Sequence, residues 1–121
     1  MAVPLLLADD SRLSRRCVVK ALPPEIDFTI TEACNGKEAI DHLQENDFKL
    51  LLLDLTMPEV DGIGVLEYLS HAKSTLDVIV ISADFQPEKQ RRVAELGARK
   101  FIKKPLNHDE LAMTLFELGY L

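Results

Sequence analysis

Four leucines, Leu50 to Leu53, run directly into Asp54, and Thr56-Met57-Pro58 then breaks the pattern. A carboxylate at the end of a buried strand is costly unless something nearby needs its charge. Other polar residues stand in the same relation to other apolar runs. Asp9 and Asp10 follow "LLLA" at 5–8, Ser82 closes "DVIVIS" at 77–82, and Lys103-Lys104-Pro105 follows the more mixed stretch "RKFI". Brought together, three carboxylates, a hydroxyl and an ammonium have a chemical logic. Crowded carboxylates raise one another's pKa values, and a hard divalent cation removes the conflict. Mg2+ takes oxygen ligands octahedrally and keeps several waters, which leaves room for a phosphoryl oxygen. With no Cys or His beside the acids, the set suits Mg2+ better than Zn2+. Mn2+ could substitute. Lys104 and Ser82 would meet the other phosphoryl oxygens as point charge and hydrogen-bond donor. Asp54 is then a nucleophile of the kind that forms aspartyl phosphates. It is already ionised, and phosphoryl transfer asks mainly for positioning and charge neutralisation.

Such convergence depends on the elements between these residues, which alternate. Strands are predicted at 5–8, 26–33, 50–53 and 77–82, with a fifth in "RKFIKK" at 99–104. Ser11 can cap a first helix whose apolar face carries Leu13, Cys17, Val18, Ala21 and Leu22. Pro23-Pro24 stops it. Ala39, Ile40 and Leu43 mark a second helix, and Ile63, Val65, Leu66 and Leu69 a third. Pro87 suits the first turn of a fourth and Gly97 its stop. Asn107 and Glu110 stand at capping-box spacing before a last helix ending near Gly119. Three continuously apolar strands predict a parallel sheet covered on both faces. Five βα units in 121 residues favour a flavodoxin-like (βα)5 doubly wound sheet of order 2-1-3-4-5 over a closed barrel. In that order the first, third, fourth and fifth strands are adjacent, and Asp9, Asp10, Asp54, Ser82 and Lys104 share one rim.

The rest of the composition narrows the function class. A chain of 121 residues that is 47% hydrophobic and 28% charged reads as one globular domain, 1–121, with no repeat, linker or low-complexity tract. A net charge of −6 argues against direct nucleic-acid binding, which calls for a basic excess. No apolar run reaches the ~20 residues of a membrane span. "MAVPLLLADD" lacks the basic flank and cleavage site of a signal peptide, so a cytoplasmic location is expected. Cys17 and Cys34 read as buried, reduced thiols, Cys17 as core filler of the first helix. His42, His71 and His108 read as dispersed surface residues.

The pieces "LLLADDS" (6–11), "EACNGKEAI" (32–40), "LLLLDLTMPEVDGIGVL" (50–66), "VIVISA" (78–83) and "FIKKPL" (101–106) together resemble the receiver domain of two-component response regulators. They span nearly the whole chain in order. The "DDSRLSRR" start is most similar to stand-alone, chemotaxis-type (CheY-like) receivers. The resemblance implies that Asp54 is the phosphoacceptor and that Asp9 and Asp10 are the metal-binding pair, with Asp10 the direct ligand. It further implies that the Thr56 backbone carbonyl completes the protein's share of the metal shell. Ser82 would be the switch hydroxyl, Lys104 the phosphate-binding lysine before a cis Pro105, and Phe101 the switch aromatic, where many members carry Tyr. Asp84 and Thr56 fall at positions that tune dephosphorylation. The implied donor is a sensor histidine kinase or histidine phosphotransfer protein, and the implied output is altered affinity for a further protein. Such a domain assists its own phosphorylation and dephosphorylation without being a dedicated enzyme.

Each of these residues has a plainer reading. An acidic pair before a helix often only complements its dipole. Asp54 could form a turn, serines end strands routinely, and Phe101 could be core. The segment holding Arg91, Arg92, Arg99, Lys100 and Lys103 is basic within an acidic chain. It reads either as a solvated face or as a partner-docking surface beside the fifth strand and last helix. Its helix has few apolar anchors and is the easier to shift. Three rivals stand beside the receiver. A phosphate-independent pseudo-receiver would lack an intact acid, hydroxyl and lysine set. A haloacid-dehalogenase-type phosphatase, to which "DLT" is similar, would want a second Asp where Thr56 stands. A flavin-binding flavodoxin would want a phosphate-cradling first loop.

Overall fold

The computed structural model describes residues 2–121, and Met1 lies outside them. The elements are β1 (Val3–Ala8), α1 (Arg12–Ala21), β2 (Phe28–Ala33), α2 (Gly36–Glu45), β3 (Leu50–Leu53), α3 (Gly62–His71), β4 (Asp77–Ser82), α4 (Pro87–Glu95), β5 (Lys100–Lys103) and α5 (His108–Glu117). The strands pair in parallel in the order β2-β1-β3-β4-β5, the flavodoxin-like arrangement expected. Ala8 lies opposite both Ala33 and Leu53, and Leu53 opposite Val80. The C-terminal ends of the central strands are therefore level.

Side chains alternate across the sheet, and the two faces bury different helices. Leu5, Leu7, Leu50, Leu52, Ile79, Ile81 and Ile102 pack with Val18 and Leu22 at α1 and with Leu111 and Leu115 of α5. Leu6, Leu51, Leu53, Val78 and Val80 pack with Ala39 of α2, Val65, Leu66 and Leu69 of α3, and Val93 of α4. This double covering is why the central strands are apolar without interruption. Each fully buried leucine contributes about 1.5–3 kcal/mol, and all four residues of β3 are such leucines.

Helix starts follow the sequence signals. Ser11, Asn35, Asp61 and Asn107 each accept a backbone N–H three residues on, and α4 opens on Pro87 instead. Gly97 ends α4 at φ 101, in the left-handed region glycine enters without a Cβ penalty.

Three expectations are corrected. The second strand begins at Phe28, two residues late, because Ile26 N–H turns back to the Pro23 carbonyl at 3.3 Å. The apolar face assigned to α1 is rotated. Leu13 is 72% exposed and Cys17 is exposed, while Ser14 and Arg15 are drawn in beside Val18. The thiols are therefore not core filler. Cys34 is exposed as well, at the end of the edge strand β2, and its Sγ donates to Glu38 Oε2 at 3.1 Å. Among the described residues no helix is long and apolar enough to cross a membrane.

Candidate functional site

The level strand ends set the site. The Asp54 N–H continues the ladder to the Ala8 carbonyl at 2.9 Å, Asp9 N–H to Ala33 at 3.0 Å, and Lys104 N–H to Ser82 at 3.0 Å. Carboxylate oxygens of Asp9, Asp10 and Asp54 come within 4.8 Å of one another. Asp9 is buried and Asp54 only 6% exposed, whereas Asp10 faces solvent. Lys104 Nζ reaches in to 2.8 Å from Asp9 Oδ2 and 3.8 Å from Asp54 Oδ2. Ser82 is fully buried, and its Oγ accepts the Asp84 N–H at 3.1 Å. The five residues singled out for chemistry therefore meet on one rim.

The loop after β3 folds back over this rim. Gly62 N–H donates to the Leu55 carbonyl at 3.0 Å, and a Cβ on Gly62 would lie 2.4 Å from the Asp54 carbonyl oxygen. Any side chain there would push the loop off the acid. Thr56 sits exposed in this loop. The Lys104–Pro105 peptide bond is cis. Phe101 is half-buried against the α2–α4 side of the core.

Burial pushes the Asp54 carboxyl above its ordinary range. The Asp9 charge adds to this, while Lys104, the Ser82 hydroxyl and the Leu55 N–H pull the other way. Three carboxylates against one ammonium leave the rim short of positive charge. The donor set is all oxygen and one of its acids faces water. It fits a hard divalent cation that keeps part of its hydration.

Two residues that hold the site were not legible. Ser14 Oγ donates to Asp9 Oδ2 at 2.7 Å. Arg15 Nη1 donates to the Asp9 carbonyl at 2.6 Å, and its Nε to Glu32 Oε1 at 2.6 Å. In the sequence they are simply polar members of a helix. Only the alternation of β1, which turns residues 5, 7 and 9 toward α1, gives them a target.

The basic residues do not gather. Arg91 is exposed on α4. Arg92 reaches Glu67 of α3 at 3.1 Å, and Arg99 pairs with Asp77 at the opposite rim at 3.2 Å. Lys100 and Lys103 stand exposed at the two ends of β5. Lys103 alone has an aromatic neighbour, its Nζ 5.0 Å from the Phe85 ring centroid. Asp84 is tied to Lys89 of α4, whose hydrogen bond, helped by that of Gln86, holds the Asp84 carboxyl below its usual range.

Comparison with known proteins shows the family and the fold. The family model for the response regulator receiver domain matches residues 5–116. The transcriptional regulatory protein SrrA of Staphylococcus aureus is 35% identical over 113 residues, 93% of this chain and 46% of SrrA. The chain thus spans about half the length of the curated relatives it matches. The receiver domain of Francisella response regulator 1452 superposes with a TM-score of 0.81 at 29% identity, over 96% of this chain and 95% of that one. A chain of the CheX–CheY–BeF3–Mg2+ complex from Borrelia burgdorferi gives 0.85 at 28%, over 96% and 88%. A CheY-like receiver from Methanospirillum hungatei, at 21% identity and a TM-score of 0.88 over 98% and 94%, supports the fold.

Proposed function

We propose, from the premise that this chain belongs to the response regulator receiver domain family, that Asp54 is its phosphoacceptor and that a histidine kinase or histidine phosphotransfer protein is the donor. The observation that carries the reading is the rim itself: three carboxylates within 4.8 Å, with Lys104 the cation beside two of them. An Asp54 oxygen forms a bond to phosphorus as the phosphorus–nitrogen bond to the donor imidazole breaks. Lys104 turns from the carboxylates to the transferring oxygens, and Ser82 offers its hydroxyl to another. Mg2+ held by Asp9, Asp10, Asp54 and the Thr56 carbonyl would neutralise charge that the protein alone leaves in excess.

The switch follows from the weak seating of α4. Among its residues Val93 alone is buried, and the helix is linked to the site through Lys89 and Asp84. Ser82 accepts the Asp84 N–H, so a hydroxyl drawn toward phosphate releases the start of the β4–α4 loop. Phe101 beneath it changes its packing, and the α4–β5–α5 face changes its affinity for a partner protein. The same oxygen ligands would also hold Mn2+ in place of Mg2+.

Intact mass after incubation with Mg2+ and acetyl phosphate tests the reading. One added phosphoryl group is expected in the wild type and none in Asp54→Asn or after Mg2+ removal. Full labelling of the variant would refute the assignment. If neither acetyl phosphate nor beryllofluoride binds the wild type, the phosphate-independent reading replaces this one. Efficient turnover of a generic phosphoester would point to the phosphatase.

A further inference from the structure

We propose that Ser14 is a positioning residue that keeps the Asp9 carboxylate aimed at the metal when Lys104 leaves it for the phosphoryl group. The inference rests on the reading of this rim as a metal-dependent phosphoacceptor site. Asp9 is held at three oxygens. Oδ1 accepts the Ser11 N–H at 2.9 Å, Oδ2 accepts Ser14 Oγ at 2.7 Å and Lys104 Nζ at 2.8 Å, and the carbonyl accepts Arg15 Nη1 at 2.6 Å. One of the two donors on Oδ2 is therefore also the ammonium that transfer needs, 3.8 Å from Asp54.

Both a divalent cation and a phosphoryl oxygen draw Lys104 off Asp9, the first by repulsion and the second by attraction. Oδ2 then keeps one side-chain donor, Ser14. That donor stays in place because α1 is fixed independently of the lysine. Val18 is buried beneath it, and Arg15 ties it to Asp9 and Glu32. A serine inside a helix usually bonds to its own helix or to water. Ser14 instead crosses to a strand-end acid, and α1 carries this serine inward at the expense of Leu13, which is left exposed. Groups that hold a ligating carboxylate from behind typically matter about 10–100-fold in metal affinity.

The test is Mg2+ affinity, read from amide chemical shifts of the full chain, for Ser14→Ala and Ser14→Thr with and without Lys104→Ala. Where Lys104 is absent, Ser14→Ala should weaken Mg2+ binding about tenfold. Where Lys104 is present the loss should be at least as large, because the cation has already drawn the ammonium off Oδ2, and Ser14→Thr should restore affinity in both backgrounds. The Mg2+ concentration for half-maximal phosphorylation by acetyl phosphate should rise by the same factor in Ser14→Ala. Ser14→Cys, which keeps a side chain of similar size with a weak donor, replaces Ser14→Ala if that variant loses its fold. A loss confined to the background without Lys104, or a lowered melting temperature with Mg2+ affinity unmoved, would overturn the proposal and leave the functional reading standing. A wild type that binds no Mg2+ would overturn the functional reading, and this inference with it.

Discussion

At the N-terminal ends of β3 and β4, Asp77 Oδ1 meets Arg99 at 3.2 Å and Oδ2 accepts the Tyr120 hydroxyl at 2.8 Å. The same hydroxyl lies 3.1 Å from the Lys49 carbonyl oxygen. Burial, reinforced by Asp77, pushes the Tyr120 phenol far above its ordinary range, so it stays neutral at any physiological pH. One carboxylate faces one guanidinium, and the cluster balances. At the C-terminal ends of the same strands three carboxylates face one lysine, and the buried Asp54 carboxyl is pushed up. Both rims place polar groups at strand ends. What separates them is residual charge: one end clasps the segment that follows α5, and the other is left wanting a cation and a group for Lys104 to meet.

The contrast breaks most readily at Lys104. Removing one preorganised donor to a developing charge typically costs about 10²–10³ in rate, so Lys104→Met should slow phosphorylation of Asp54 by that order. Without the ammonium the rim is still more negative, and Mg2+ should bind at least as tightly as in the wild type. A rate within tenfold of wild type, measured by mass spectrometry over time, would mean that the upper rim does not depend on its lysine.

Tyr120→Phe probes the other end. It strips the one hydroxyl donor from Asp77 and should lower stability by about 1 kcal/mol, read from urea denaturation. The phosphorylation rate should stay within twofold of wild type, since Tyr120 lies at the opposite rim. If the rate fell with stability, the two rims would be coupled and the division between them would fail.

Asp54 gives the difference a pH signature. Its folded pKa is raised above its unfolded value of about 3.9. Its contribution to stability is therefore fully present below the unfolded pKa and is lost as pH rises through the folded one. Asp54→Asn has no such loss. In chelator, the stability of the variant relative to wild type should increase as pH is raised from about 4 toward neutrality. Mg2+ at ten times its Kd should then return about 1.4 kcal/mol to the wild type and less to the variant. A difference flat with pH would show that the charge at Asp54 is already compensated.

These contrasts divide along the line between what the sequence shows and what it hides. Asp9, Asp10, Asp54 and Ser82 were legible because each lies at the end of an apolar run, and parallel strands must end together, whereas Lys104 was chosen over Lys103 by the lysine–proline pair of the receiver resemblance. The strands β1, β3 and β4 were legible because both their faces are covered. The phase of α1 was not, since Leu13 and Cys17 offer one apolar line and Val18, Ala21 and Leu22 another. The choice is made by Ser14 and Arg15, whose inward partners belong to a strand end that helical periodicity does not describe. Tyr120 lies past Gly119, where the apolar pattern stops, so its hydrogen bond to Asp77 left no local mark. The spread of the basic residues was hidden for the same reason. Arg92 and Arg99 are seven apart in the chain, but one faces α3 and the other the lower rim.

Those two arginines sharpen the comparison at its smallest scale. Arg92 lies 3.1 Å from Glu67 and 3.9 Å from the exposed Glu95, and Arg99 lies 3.2 Å from Asp77. Their partners differ: the Glu67 side chain is 48% exposed and Asp77 only 23%, with Tyr120 fixing its other oxygen. A solvated pair is worth about 0.5 kcal/mol or less. Arg92→Ala should therefore barely move the urea midpoint, and molar salt should erase what it does move. Arg99→Ala should cost more and resist salt, because it leaves a partly desolvated carboxylate with half its partners. Equal costs for the two substitutions would mean that the lower rim is no more closed than an ordinary surface pair. The balance of charge would then no longer be what distinguishes the two ends of the sheet.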